Sequence, residues 1–272
     1  MVATAFVSLL ASATMQTSSA VVLSTRTTFP ANTKADYQLG GPYTPVSNVR
    51  VVTRDSTASP VPGLFNICYI NAFQTQSDAA DFWQSAANDD LLLRTKSGAY
   101  FEDPDWEGEF FLDTSTGAKR TRIAAILNGW IDDCAKKGFQ AIEPDNLDTF
   151  TRSNKLLTQS NNLALAKLIV DHAHSLGLLV AQKNTGSEIG SAGRNTAGFD
   201  FAVAEECQTF DECDAYTDVY ENNVIEIEYT DADDAEANFS AACAARGSDI
   251  SVILRDRNVV PSGKKGYHYE EC

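Results

Sequence analysis

The residues that could do chemistry in this chain are mostly carboxylates, and they recur at one kind of place. Short apolar runs end, one after another, in polar or charged side chains: Asp55, Gln74, Asp113, Asp145, Lys183, Glu205, Glu228 and Asp256. Carboxylates that converge can ligate a hard cation through oxygen. They can also divide acid, base and nucleophile between two of their number, as glycoside hydrolysis requires. Other chemistries fit poorly. His172, His174 and His268 are the only histidines. The first two lie two apart on a helical stretch, so they point in different directions. No Cys-x-x-Cys is present, so a zinc site lacks ligands. No Gly-x-Ser-x-Gly is present either, and a Ser-His-Asp triad is disfavoured. No metal and no cofactor is expected.

The elements that must position these side chains alternate in type. Short apolar runs, several of them rich in β-branched residues, over 35–39, 49–53, 65–72, 110–112, 139–142, 178–181, 199–204, 224–227 and 250–254 read as strands. Helical spacing covers 79–87, 120–137, 161–176 and 232–246, with Gly138, Gly177 and Gly247 closing the last three. Strands alternating with helices give a parallel sheet. About eight of them in one domain predict an α/β fold of the (β/α)₈ TIM-barrel type. A doubly wound open sheet is the alternative, but no glycine-rich phosphate loop follows the first strand. In a barrel all C-terminal strand ends face one mouth, where active sites are built. The strand-end carboxylates would then meet there.

Composition bounds the partners. The chain has 272 residues, 21 Lys and Arg against 37 Asp and Glu, and a formal charge of −16. That field repels phosphate backbones and anionic membranes, so nucleic acid is excluded as a first reading, and it favours a cationic partner. Mean hydropathy is −0.22, and no run reaches the roughly 20 apolar residues of a membrane span. Val2 to Ala13 is small and apolar, and Ala11-Ser12-Ala13 and Ser18-Ser19-Ala20 offer small-residue cleavage points. No Lys or Arg precedes the apolar run. Residues 1–20 are read as a signal peptide, 21–34 as a flexible Ser/Thr-rich linker, and 35–272 as the barrel domain. Six cysteines suit an oxidised, secreted protein, expected to be monomeric. Cys207 and Cys213 can staple a short loop, and the terminal Cys272 can reach Cys243, which leaves Cys68 for Cys134. Among aromatic residues that could stack on sugar faces, Trp106 is the best placed, in a loop with Asp103, Asp105 and Glu107. Trp130 lies on an apolar helix stripe and reads as core. Asn238-Phe239-Ser240 is an N-glycosylation sequon within a predicted helix.

Together the motifs are specific. Tyr37-Gln38-Leu39-Gly40-Gly41, the run from Asn66 through Asn71 to Gln76, Glu143-Pro144-Asp145-Asn146, Lys183-Asn184, Glu205-Glu206-Cys207, Glu228-Tyr229 and Arg255-Asp256 resemble glycoside hydrolase family 114 in order and position. The resemblance runs from about residue 36 to the C-terminus. It implies a (β/α)₈ fold and an endo-α-1,4-polygalactosaminidase acting on a cationic, galactosamine-containing polysaccharide. It places the catalytic aspartate on Asp145 and the catalytic glutamate on Glu205. The family pattern at the second site is closer to Glu-Gln-Cys, so Glu206 stays as the alternative to Glu205. Asp145 is read as nucleophile or base and Glu205 as general acid. Substrate contacts are expected from Gln38, Asp55, Asn71, Gln74, Trp106, Asp113, Asn146, Lys183, Asn184, Glu206, Glu228, Tyr229, Arg255 and Asp256. A non-catalytic carbohydrate-binding barrel and a polysaccharide deacetylase are the competing readings.

Overall fold

The computed structural model describes Met1, Val2 and residues 27–272. Beyond Met1 and Val2 the expected signal peptide lies outside the described residues, as does the expected linker up to residue 26. Eight parallel strands run in sequence order: β1 (Ala35–Gln38), β2 (Val51–Asp55), β3 (Phe65–Asn71), β4 (Ala141–Asp145), β5 (Leu179–Lys183), β6 (Phe201–Glu205), β7 (Val224–Tyr229) and β8 (Ser251–Arg255). A ninth, β9 (Tyr269–Glu271), pairs antiparallel with β8 and has no counterpart among the expected strands. The helices are α1 (Ala80–Trp83), α2 (Gly117–Lys137), α3 (Thr149–Arg152), α4 (Gln159–Ser175), α5 (Gly186–Ile189), α6 (Asp214–Tyr220) and α7 (Ala235–Arg246). Among the described residues no α-helix follows β1 or β2, so the helical layer of this α/β barrel is incomplete there.

Alternation along each strand divides the core in two. Ala35, Tyr37, Val51, Phe65, Ile67, Ala141, Leu179, Ala181, Phe201, Val203, Ile225 and Ile227 fill the lumen. The other parity, with Ile142, Val180, Ala202, Ala204 and Val252, packs outward against α2, α4 and their neighbours. Local signals set the long helices. Thr116 caps α2 by accepting from the Lys119 N–H, and Gly138 ends it at φ 94°. Thr158 and Asn161 form a capping box on α4.

Closure is made by side chains. Arg255 on β8 is fully buried, donates to the Tyr37 carbonyl and reaches Asp36 Oδ1 at 3.2 Å, while the Tyr269 hydroxyl donates to the Ala35 carbonyl at 2.9 Å. Gly40 follows β1 where a Cβ would lie 2.6 Å from the Val259 carbonyl oxygen, so only glycine admits the β8 loop so close.

Three expectations are corrected. Residues 110–112 are not a barrel strand. They belong to an excursion between β3 and α2 held by isolated bridges, Gln74 to Phe111, Leu92 to Leu112 and Glu102 to Phe110. Its apolar residues Leu93, Phe101 and Phe111 form a small core of their own with Leu157. Within 79–87 only Ala80–Trp83 is α-helical. Residues 27–34 do not behave as a linker, because Phe29 stacks on Phe201 at 4.4 Å and meets Phe65 edge-on, closing the barrel floor. The three disulfides join Cys68 to Cys134, Cys207 to Cys213 and Cys243 to Cys272, as expected. No helix among the described residues is long and apolar enough to cross a membrane.

Candidate active site

A cavity of about 360 Å³ opens at the C-terminal ends of the strands. Its floor is the last lumen-facing layer: Tyr37, Tyr69, Asp145, Lys183, Glu205 and Tyr229. Backbone geometry builds this layer. The residues that follow β4, β5 and β6, namely Asn146, Asn184 and Glu206, all have positive φ (68°, 50° and 58°). This conformation is tolerated by Asn but unfavourable for Glu. Each turn diverts the chain at once, so the last strand residue still points into the mouth. Pro144 cannot donate to a ladder, and β4 pairs with β5 only through Ala141 and Ile142. Beyond that register the two strands make no ladder, and Lys183 reaches across the opening.

Lys183 organises the floor. Its side chain is 2% exposed. Its ammonium lies 3.3 Å from Glu143 Oε1, 3.4 Å from Asp145 Oδ2 and 3.1 Å from Glu205 Oε2, and donates to the Tyr37 hydroxyl at 3.1 Å. The 3.4 and 3.1 Å contacts bound the separation of those Asp145 and Glu205 oxygens at their sum, 6.5 Å. Asp145 Oδ1 accepts from the Asn146 N–H at 2.8 Å, and Oδ2 accepts from Tyr69 at 2.7 Å. Glu205 accepts from Tyr229 at 2.5 Å and from Asn184 Nδ2 at 2.9 Å. Both carboxylates are therefore fixed in place by several donors.

Burial and charge oppose each other here. Burial raises the Glu205 pKa, but the Lys183 charge and the bonds from Tyr229 and Asn184 outweigh it and hold the carboxyl below its usual range. Glu143 lies one layer deeper and is wholly buried; burial pushes it up to about 7 although Lys183 and Tyr37 favour its charged form. Burial works against the Lys183 cation, and the surrounding acids, Asp145 and Glu205 foremost, more than offset it, so its pKa is raised. Tyr37, Tyr69 and Tyr229 are pushed well above the ordinary phenol value, chiefly by burial, and stay protonated as donors.

The expected residues separate into two groups. Asp145, Glu205, Gln74, Trp106, Asn146, Lys183, Asn184 and Tyr229 line the cavity. Gln38, Asp55, Asn71, Asp113, Glu206, Glu228, Arg255 and Asp256 do not. Strand parity turns Gln38, Glu228 and Asp256 away from the lumen. Gln38 accepts from Arg54 at 2.9 Å, Glu228 from the Gln208 N–H and Thr209, and Asp256 from the Val260 and His268 N–H groups. Asp55 closes its own turn through Thr57. Asp113 sits before α2, paired with Lys119 at 2.5 Å. Arg255 latches β8 to β1. Glu206 is bound at both oxygens by Arg257, each at 2.7 Å. Asn71 lies behind the lining, accepting from Asn146 and donating to Glu109.

Other segments contribute what strand ends could not announce: Asp105 and Glu109 beside Trp106 from the excursion, Asp148 from the β4–α3 turn, Arg152 from the end of α3, and Arg257 after β8. Trp106 is 58% exposed, an apolar face presented at the rim. The histidines stay away from the cavity; His172 bonds Asp132 and His174 bonds Asp200, each at 2.8 Å.

Comparison with known proteins agrees with this geometry. No curated protein matches the chain. Among solved structures, Aspergillus fumigatus Ega3 in complex with galactosamine superposes with a TM-score of 0.67 at 24% identity, covering 90% of this chain and 97% of that one. The glycoside hydrolase domain of PelA from Pseudomonas aeruginosa gives 0.57 at 12% identity, covering 85% and 97%. At those identities the likeness speaks for the fold. The model of glycoside-hydrolase family GH114 matches residues 16–272, nearly the whole sequence and all nine strands. The chain belongs to glycoside-hydrolase family GH114.

Proposed function

We propose that this chain is a secreted, endo-acting glycoside hydrolase that cleaves α-1,4-linked galactosamine polymers, with Asp145 and Glu205 as its catalytic pair. One observation carries the reading: the two carboxylates stand at the ends of β4 and β6 in one mouth, bridged by the single buried ammonium of Lys183 from β5 between them. A bound of 6.5 Å between the bridged oxygens favours the roughly 5–5.5 Å spacing of retaining enzymes over the roughly 6.5–9.5 Å that leaves room for an inverting water.

In this reading the Asp145 carboxylate, oriented by Asn146 and Tyr69, attacks the anomeric carbon. The C1–O bond to the leaving sugar breaks as Glu205 gives its proton to that oxygen. A glycosyl ester on Asp145 results. Glu205, now a carboxylate, takes a proton from water, which attacks C1, returns Asp145 and releases a sugar of unchanged anomeric configuration. Glu205 must be protonated before the first step, and Lys183 holds its pKa down. The enzyme therefore works on the acid side of neutrality, where the substrate amines are fully charged.

Charge supports the substrate class. Six carboxylates line the cavity, Asp103, Asp105, Glu109, Asp145, Asp148 and Glu205, within a chain of net charge −16. They attract a polyammonium chain. The likeness to a barrel solved with galactosamine and three disulfides suited to an oxidising exterior support the same reading. The test is incubation of the purified chain with partly deacetylated α-1,4-galactosamine polymer, reading products by mass. Internal cleavage into oligomers is expected; an uncut polymer would overturn the proposal.

A further inference from the structure

We infer that Glu109 is the specificity-determining residue that recognises the free ammonium group of a sugar bound next to the cleavage point. This inference rests on the proposed hydrolysis of galactosamine polymers and assigns amine selection to one side chain. The cavity carries three cations, and each is already committed. Lys183 serves Glu143, Asp145 and Glu205. Arg152 pairs with Asp103 and Asp148, and Arg257 with Glu206 and Asp231. Among the described lining residues this leaves only Asp105 and Glu109 without a cation.

Glu109 is the one built to bind. Gln74 Nε2 at 2.8 Å and Asn71 Nδ2 at 3.4 Å both donate to its Oε2, and no described donor reaches Oε1. Two amides thus hold the carboxyl from behind, with its second oxygen left for a ligand. The group is half-buried, and burial, with Asp103 and Asp145 adding repulsion, raises its pKa. A carboxylate partly removed from water without a counter-charge is unsatisfied, and a substrate ammonium relieves it. Position fits one sugar unit from the reaction. The Tyr69 hydroxyl donates to Asp145 at 2.7 Å and its oxygen lies 3.5 Å from Asn71 Oδ1, so Glu109 is two side chains from the proposed nucleophile. Trp106, in the same loop, offers an exposed indole at the rim against which that sugar can lie. Asp105 lacks any comparable support from side-chain donors among the described residues.

The experiment compares wild type with Glu109→Gln on fully deacetylated and partly N-acetylated galactosamine polymers, and sequences the products by mass. Wild type should show a free amine at one fixed position beside the cut. Glu109→Gln should lower kcat/KM on the deacetylated polymer about tenfold, the size of one charge-assisted hydrogen bond. It should remove the discrimination against an acetylated sugar, randomising acetylation at that single position, with an unaltered melting temperature. Glu109→Asp should keep the preference. An unchanged product pattern, or equal losses on both polymers, would overturn the inference. Failure of wild type to cut either polymer would instead overturn the proposed function on which it rests.

Discussion

Replacing Lys183 by Met removes the charge that holds the floor together while keeping most of its volume. Three carboxylates lie within 3.4 Å of this ammonium. At that range and an effective dielectric constant of about 20, each contact is worth roughly 5 kcal/mol before desolvation is counted. Desolvating Lys183, 2% exposed, cancels a large part, and the net loss expected on removing one partner of a buried ion cluster is about 3–5 kcal/mol near neutral pH. The pH dependence gives the sharper signature. In the wild type the Glu205 pKa lies below its ordinary 4.5, so its contribution to stability is present above 4.5 and disappears as pH falls through the folded value. Without Lys183, burial dominates, the Glu205 pKa rises above 4.5, and Glu143 rises beyond about 7. Such groups destabilise the fold increasingly as pH climbs. The melting temperatures of wild type and Lys183→Met, measured from pH 3 to 8, should therefore lie farthest apart at the neutral end and converge in acid. In residual activity, the basic limb of kcat/KM should move to higher pH, because the proposed acid now keeps its proton longer. A gap in melting temperature that does not vary with pH, together with an unmoved basic limb, would refute the electrostatic role given to Lys183.

Two further outcomes follow from the same geometry. Asp145→Asn and Glu205→Gln should each lower turnover by about 10²–10⁴-fold, whereas Glu206→Gln, whose carboxylate is bound by Arg257 and does not line the cavity, should stay within roughly threefold of wild type; steady-state kinetics on the galactosamine polymer separates the two glutamates. Replacing Cys68 and Cys134 by Ser removes a crosslink between residues 66 apart, and the chain-entropy relation predicts a loss of about 4 kcal/mol, to be read from denaturant midpoints.

Strand ends were the legible part of this molecule. Asp145, Lys183 and Glu205 each terminate a lumen-facing alternation, and period-two patterning brings them to one mouth. The same rule misplaced Glu228 and Asp256, which end strands on the outward parity and satisfy backbone amides behind the barrel. Parity alone could not separate Glu205 from Glu206 until the lumen face was known. Phe201 and Val203 fill the lumen, which puts Glu205 inside. Asp113 was drawn into the candidate set because Phe110–Leu112 reads as a strand. Those residues are β-branch-poor and aromatic, and pack a small core in an excursion that no local pattern distinguishes from a barrel strand. Glu109, Asp148 and Arg257 come from turns and loops, and Arg152 from the single-turn helix α3, where side-chain direction depends on tertiary contacts and not on a period. Arg255 carried a charge at a strand end and was read as a ligand contact, yet it is the latch between the first and eighth strands.

The most direct test of the central claim is the anomeric configuration of the first product, followed by proton NMR as the chain cleaves an α-1,4-galactosamine oligomer. Attack by Asp145 with proton donation from Glu205 requires the α anomer to accumulate first and then mutarotate. A β anomer appearing first would contradict the paired carboxylates acting across one linkage in this way.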